Sequence, residues 1–202
     1  MESEEEADIL RVRYENAGNL TVLVVLASDT KPETNVLYQD QAYDMILIAG
    51  EFSKFQNELS CMREHLSDNG KLYVADANRL GLKYFAGCTE DHTGVFFDGI
   101  EDYPNLQGVR TFSKKELQEI IDRAGEFETK FYYPYPDYKF PLTIYSDEYL
   151  PKCGELKVTA YNYDRARMEL FDETRVEDTL ISNGLFPEFS NSFFVRVKWG
   201  EA

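Results

Sequence analysis

YDMILIAGEF, residues 43–52, and KLYVADA, residues 71–77, are two apolar runs with a helical pattern between them at Phe55, Leu59, Met62 and Leu66. A continuous apolar run fits a strand buried on both faces, as in a parallel sheet. Strand, helix and strand in that order imply a right-handed parallel crossover. Asp68-Asn69-Gly70 is expected to end the helix. Upstream, LTVLVVLA at 20–27 is a third run of the same kind, and SDTKPETN at 28–35 reads as loop. Ser3 and Glu6 have capping-box spacing. With Ala7, Leu10 and Tyr14 recurring at helical intervals and Gly18 as a stop, they predict a helix before that strand.

Downstream, Ser113 and Glu116 form a second capping-box candidate, followed by the stripe Leu117, Ile120, Ile121 and Ala124 and by Gly125. Residues 127–146, FETKFYYPYPDYKFPLTIYS, begin as a strand and become a proline-broken, tyrosine-rich segment. Residues 147–162 read as loop. Residues 164–182 predict a helix with Leu170, Phe171, Leu180 and Ile181 inside. NSFFVRVKWG, 191–200, alternates as a final antiparallel strand. The expectation is one α/β domain over 1–202, with 78–110 and 133–163 as loop insertions on a mostly parallel sheet.

The chain of 202 residues carries 37 acids against 21 bases, a net charge of −16. Such a chain is poorly suited to a phosphate backbone, which argues against nucleic acid as a partner. No run of about 18 apolar residues and no basic-then-apolar leader is present, so neither a membrane span nor a signal peptide is expected. Cys61, Cys88 and Cys153 are odd in number and far apart, as in reduced thiols in a cytoplasmic setting. His65 and His92 without paired cysteines give no zinc spacing, and no metal is expected.

The strand KLYVA runs into ADANRLGLKYFAGCTEDHTGVFFDGIEDY, 75–103, a long loop rich in polar groups and spaced by glycines. A loop this long in a compact domain is usually a binding loop or disordered. Tyr84, Phe85, Phe96 and Phe97 argue for order. The expectation is an ordered functional loop at the carboxyl end of a strand. The competing reading is an Ω-loop held by its own aromatics.

The succession of YDMILIAGEF, helix, DNGKLYVADA, long loop, SKKELQEIIDRAGEFE and final strand resembles the later two-thirds of class I S-adenosylmethionine-dependent methyltransferases. The strands from 127 and from 191 fall where that family's last two strands close its sheet. NRLGLKYFAGCTEDHTGVFFDGIEDYP, VRTFSKKEL, YYPYPDYKFPLTIYSDEYLP and NSFF, spanning roughly 75–195, look like a bacterial methyltransferase group found with glycosyltransferases of surface-polysaccharide synthesis. The family's first strand and its GxGxG donor loop have no counterpart here. An unpaired, apolar edge on 43–49 is the consequence. Expected remedies are pairing with 20–27, a second copy of the chain, or a separate N-terminal piece.

The resemblance implies a Rossmann-like fold, S-adenosylmethionine as donor and a sugar or glycan hydroxyl as acceptor. It implies Ala49, Gly50, Glu51 and Phe52 as the floor near the donor and Asp29 near its adenine. Methyl transfer needs mainly positioning and a group to take the acceptor's proton. On the acceptor side His92 with Asp91 or Glu90 is the base candidate, since histidine titrates near neutrality. Asn78 and Tyr84 are candidate polar contacts to a sugar. Tyr133, Tyr135 and Tyr138 are candidate stacking surfaces, or else packing for an irregular segment. Cys88 lacks a histidine partner legible in sequence. The second functional reading is a non-catalytic scaffold that binds a partner or glycan, or a piece that needs a missing N-terminal segment.

Overall fold

The computed structural model describes residues 4–16, 42–104, 108–125, 127–157 and 166–199. Contacts group the chain into two units, Met1–Gln41 and Ala42–Ala202. In the first, helix α1 (Glu4–Arg13) carries an Arg11–Asp8 ion pair of 2.8 Å and exposes Ile9 and Val12. The strand expected at 20–27, the loop at 28–35 and Asp29 lie outside the described residues.

The second unit holds β1 (Tyr43–Ala49), α2 (Leu59–Glu64), β2 (Leu66–Ala77), α3 (Leu82–Phe85), α4 (Lys114–Ala124), β3 (Phe127–Tyr135), β4 (Thr143–Ser146), α5 (Glu173–Ser182), α6 (Phe186–Phe189) and β5 (Ser192–Trp199). Its five strands form one open sheet in the order β1-β2-β5-β3-β4. The expected crossover is present, with β1 parallel to β2. The other three described pairings are antiparallel, so the sheet is mixed and not mostly parallel. The cause is local. Asn78, just past β2, donates its side-chain amide to the carbonyls of Glu188 (2.9 Å) and Ser190 (2.7 Å), and its backbone N–H to Asn191 (3.0 Å). β5 therefore starts where β2 ends and must run back along it. β3 and β4 form a hairpin, which is antiparallel by construction.

Strand β2 begins earlier than the sequence suggests. Asp68-Asn69-Gly70 does not end the helix but bulges within the strand: Tyr43 pairs with Leu66, yet Met45 pairs with Lys71. The surplus on β2 is accommodated at Gly70, where a Cβ would sit 2.8 Å from the Tyr43 carbonyl oxygen. The helix expected at 164–182 also shortens to α5. Leu170 and Phe171 are exposed, and the buried residues of α5 are Glu173 and Glu177.

The core lies on one face of the sheet. Leu72 and Val74 of β2, Phe193, Val195 and Val197 of β5, and Phe131 and Tyr133 of β3 meet Leu117, Ile120 and Ile121 of α4. Alternation puts Tyr73, Phe194 and Tyr132 on the other face, half-buried, with Tyr73 stacked on Phe194 at 5.3 Å. Helix α4 opens with the expected capping box between Ser113 and Glu116. Among the described residues β1 pairs only with β2, and Met45 and Leu47 are 60% and 56% exposed. No described helix is long and apolar enough to cross a membrane. All three cysteines are free, Cys88 alone being buried.

Phe193 is fully buried and meets Phe131 edge-to-face at 5.6 Å. Phe193→Ala is expected to destabilise the chain by about 3–5 kcal/mol. Urea denaturation checks this, and a loss below about 1 kcal/mol would contradict the packing described.

Candidate functional site

The carboxyl ends of the parallel pair are joined by a carboxylate. After β1 the chain turns at Gly50 (φ +72°) and Glu51 (φ +53°), both left-handed, into a short 3-10 turn at Phe52–Lys54. The Gly50 N–H donates to the Ala75 carbonyl at 2.7 Å. Asp76, near the end of β2, accepts from the Phe52 N–H through Oδ2 (3.1 Å) and from the Ala77 N–H through Oδ1 (2.8 Å). Asp76 is only 3% exposed. Burial pushes its carboxyl up to about 7, with the charges of Asp91 and Glu90 adding to the rise and the two backbone bonds opposing it. A carboxylate near neutrality at such a place can take or hold a proton at working pH.

Tyr138 stands over this turn. Its backbone N–H donates to Ser192 Oγ at 2.9 Å, and its hydroxyl lies 3.3 Å from where a Cβ on Gly50 would sit. Glycine at 50 is favoured by the left-handed backbone, and a side chain there would also press on the phenol. The Tyr138 hydroxyl is pushed up by burial and then by the charges of Asp76, Asp137 and Asp91.

Beside it, Lys83 is fully buried, its Nζ 2.9 Å from Asp91 Oδ2 and 2.8 Å from Asp137 Oδ2. Burial alone would lower its pKa, but the two carboxylates outweigh that and raise it. Asp91 also accepts from the Tyr84 hydroxyl at 3.1 Å. Burial opposes its ionisation, yet Lys83 and Lys139 hold it below its usual range. Glu90 accepts from the N–H groups of His92 and Thr93, both at 2.7 Å, and from the Tyr103 hydroxyl at 3.1 Å.

The residues singled out in the sequence therefore separate. Gly50, Glu51 and Phe52 do meet at one place with Asp76 and Tyr138. Ala49 is exposed at the end of β1. Asp91 and His92 are not brought together: the Asp91 carboxylate bonds Lys83 and Tyr84, Glu90 bonds the His92 backbone, and the His92 imidazole is exposed. Asn78 is fully buried, and its side chain joins β2 to the start of β5. Tyr84, Tyr133 and Tyr135 are buried; the Tyr133 hydroxyl bonds Asp147, and that of Tyr135 donates to Glu177 at 3.4 Å. These three tyrosines are buried, whereas Tyr138 is half-buried over the Gly50 turn. Cys88 is buried beside Arg167.

Sequence reasoning passed over Asp76, Lys83 as a buried ion, and Asp137. The signal for Asp76 was present: VADA interrupts an apolar strand with an acid, and a buried strand tolerates an acid only where partners await it. Compared with protein-family models, curated proteins and solved structures, the chain matches none. Among the described residues no group of three or more metal-ligating side chains is gathered.

Asp76 keeps its proton up to about 7 in the folded chain but only to about 3.8 when unfolded. Between those values the folded state binds more protons, so stability falls as pH rises. The full effect is about 4 kcal/mol, complete above the folded value. Melting temperature is expected to fall from pH 5 to pH 8, and Asp76→Asn is expected to flatten that fall. Equal slopes in both proteins would contradict the assignment.

Proposed function

We propose that this chain serves methyl transfer from S-adenosylmethionine to a sugar or glycan hydroxyl, in the cytoplasmic synthesis of a surface polysaccharide. The observation that carries the reading is Asp76, buried at the carboxyl end of the parallel pair and bonded to the turn after β1. Open α/β sheets bind their ligands outside the carboxyl ends of their strands. The pairing of β3 with β5 agrees with the closing strands that the resemblance implies.

The donor, when bound, supplies a methyl group on a positively charged sulfonium. The residues present fit that charged end: Gly50, Glu51 and Phe52 form the floor, and Asp76 and Tyr138 flank it. Transfer to a hydroxyl forms a carbon–oxygen bond, breaks a carbon–sulfur bond and releases one proton. Asp76, titrating about 7, is the group of this site that takes it.

A non-catalytic scaffold that binds a partner or glycan is the second reading. One observation favours it: the polar groups of Asn78, Tyr84 and Asp91 are engaged inside the protein. The exposed Met45 and Leu47 on β1 support a second copy or an N-terminal partner along that edge.

Isothermal titration of S-adenosylhomocysteine into the purified chain tests the function. Micromolar binding is expected, with about 2.7 kcal/mol of added stability at a hundredfold excess over Kd. No heat up to millimolar ligand would leave the scaffold reading in its place.

A further inference from the structure

The second face of the sheet differs in sign from the chain that carries it. Helix α4 packs on the core face, whereas Tyr73, Phe194 and Tyr132 point the other way and lie outside the core cluster. The register sets out their neighbours. Leu47 stands beside Tyr73, Tyr73 beside Arg196, and Met45 beside Lys71. Tyr73 and Tyr132 each lie against Phe194, at 5.3 and 6.2 Å between ring centres. A strand of a parallel pair is ordinarily covered on both faces. Met45 and Leu47 are the large apolar side chains of β1 on this face, and both are more than half exposed. Apolar groups gathered in this way mark a contact surface.

Electrostatics says what the contact is with. The whole chain has a net charge of −16, yet Lys71, Lys130, Arg196 and Lys198 gather on this face. Glu148 answers Lys130 at 2.7 Å and Glu128 answers Arg196 at 2.6 Å. Among the described residues Lys71 and Lys198 form no ion pair. A wholly apolar partner would bury two lysines without counter-charges. A simple polyanion would satisfy the lysines and leave Met45 and Leu47 in water. A helix with an aliphatic stripe flanked by acids serves both. Such a helix, about 10 Å across, spans two strand spacings of about 4.8 Å each. Ala49 and Ala75, paired at the carboxyl end of β1 and β2, leave room for its close approach.

We propose that this face receives an acidic amphipathic helix of a partner protein. Its apolar stripe sits on Met45, Leu47 and Tyr73, and its acids meet Lys71 and Lys198. The acidic remainder of the chain repels such a helix, so charge selects the face. The surface includes neither Asp76, Gly50 nor Tyr138, so it stands whether or not the chain transfers methyl groups.

The probe is a synthetic helix of about 18 residues, with leucines at i, i+3, i+4 and i+7 and glutamates flanking them. Its binding is followed by amide NMR shifts in the full chain. A Kd below about 100 μM is expected, weakening as salt rises, with shifts centred on residues 43–49, 71–75 and 194–198. Replacing the peptide's glutamates by lysines is expected to weaken binding at least about tenfold. Lys71→Glu combined with Lys198→Glu is expected to do the same with the melting temperature kept, since neither lysine has a described partner to lose. No binding of the acidic peptide, equal binding of the basic one, or shifts centred elsewhere overturns the proposal. Tighter binding of a single-stranded oligonucleotide at the same residues overturns it in favour of a polyanion surface. Shifts of those amides with chain concentration alone overturn it in favour of a second copy.

Discussion

The buried ammonium of Lys83 is the constraint on which the unit from Ala42 onward depends. An uncompensated charge at full burial is not tolerated, so two carboxylates must come to it. Asp91 comes from the long loop after β2 and Asp137 from the segment after β3. These segments are far apart in sequence, and Lys139 of the second adds a further pair to Asp91 of the first at 3.7 Å. Removing one partner of a buried pair costs about 3–5 kcal/mol, chiefly because a charge is left behind. Asp137, so held, fixes its neighbour Tyr138, and Tyr138 bonds Ser192 at the start of β5. The shape of the carboxyl edge thus follows from satisfying one lysine.

That brace explains why so much of the site was hidden in the sequence. The polar density of 78–103 read as a surface for ligands, because nothing in a linear pattern demands it. Folding supplies the demand: Glu90, Asp91, Tyr84, Tyr103 and Lys83 bond one another and the loop's own backbone. The acid next to His92 faces inward, and no spacing rule reveals which way a loop carboxylate turns. The elements themselves were more legible. β1, β5 and the capping box of α4 lie where the sequence places them, although β1, expected to be buried on both faces, buries only Ile48. The Asp68-Asn69-Gly70 bulge and the shortened α5 were not legible, since the first depends on the partner strand and the second buries its own acids, Glu173 and Glu177, in place of Leu170 and Phe171.

The charge of the chain acquires a local meaning at this edge. A net charge of −16 is a property of the whole sequence, yet Asp76, Glu90, Asp91 and Asp137 concentrate it beside one turn. Among the described residues Lys83 and Lys139 are the cations paired with Asp91 and Asp137. Anionic ligands meet repulsion there and cationic ones attraction.

Gly70 lies at the opposite end of the parallel pair from that turn. A side chain there would press on the Tyr43 carbonyl and on Ser67, and β1 would have to slide along β2 to relieve it. A slip carried along the whole of β1 would reach Ala49, roughly 20 Å away. The Gly50 turn would then miss Asp76. A residue with no side chain and no chemistry of its own thereby acts as the gauge block for the carboxylate at the far end.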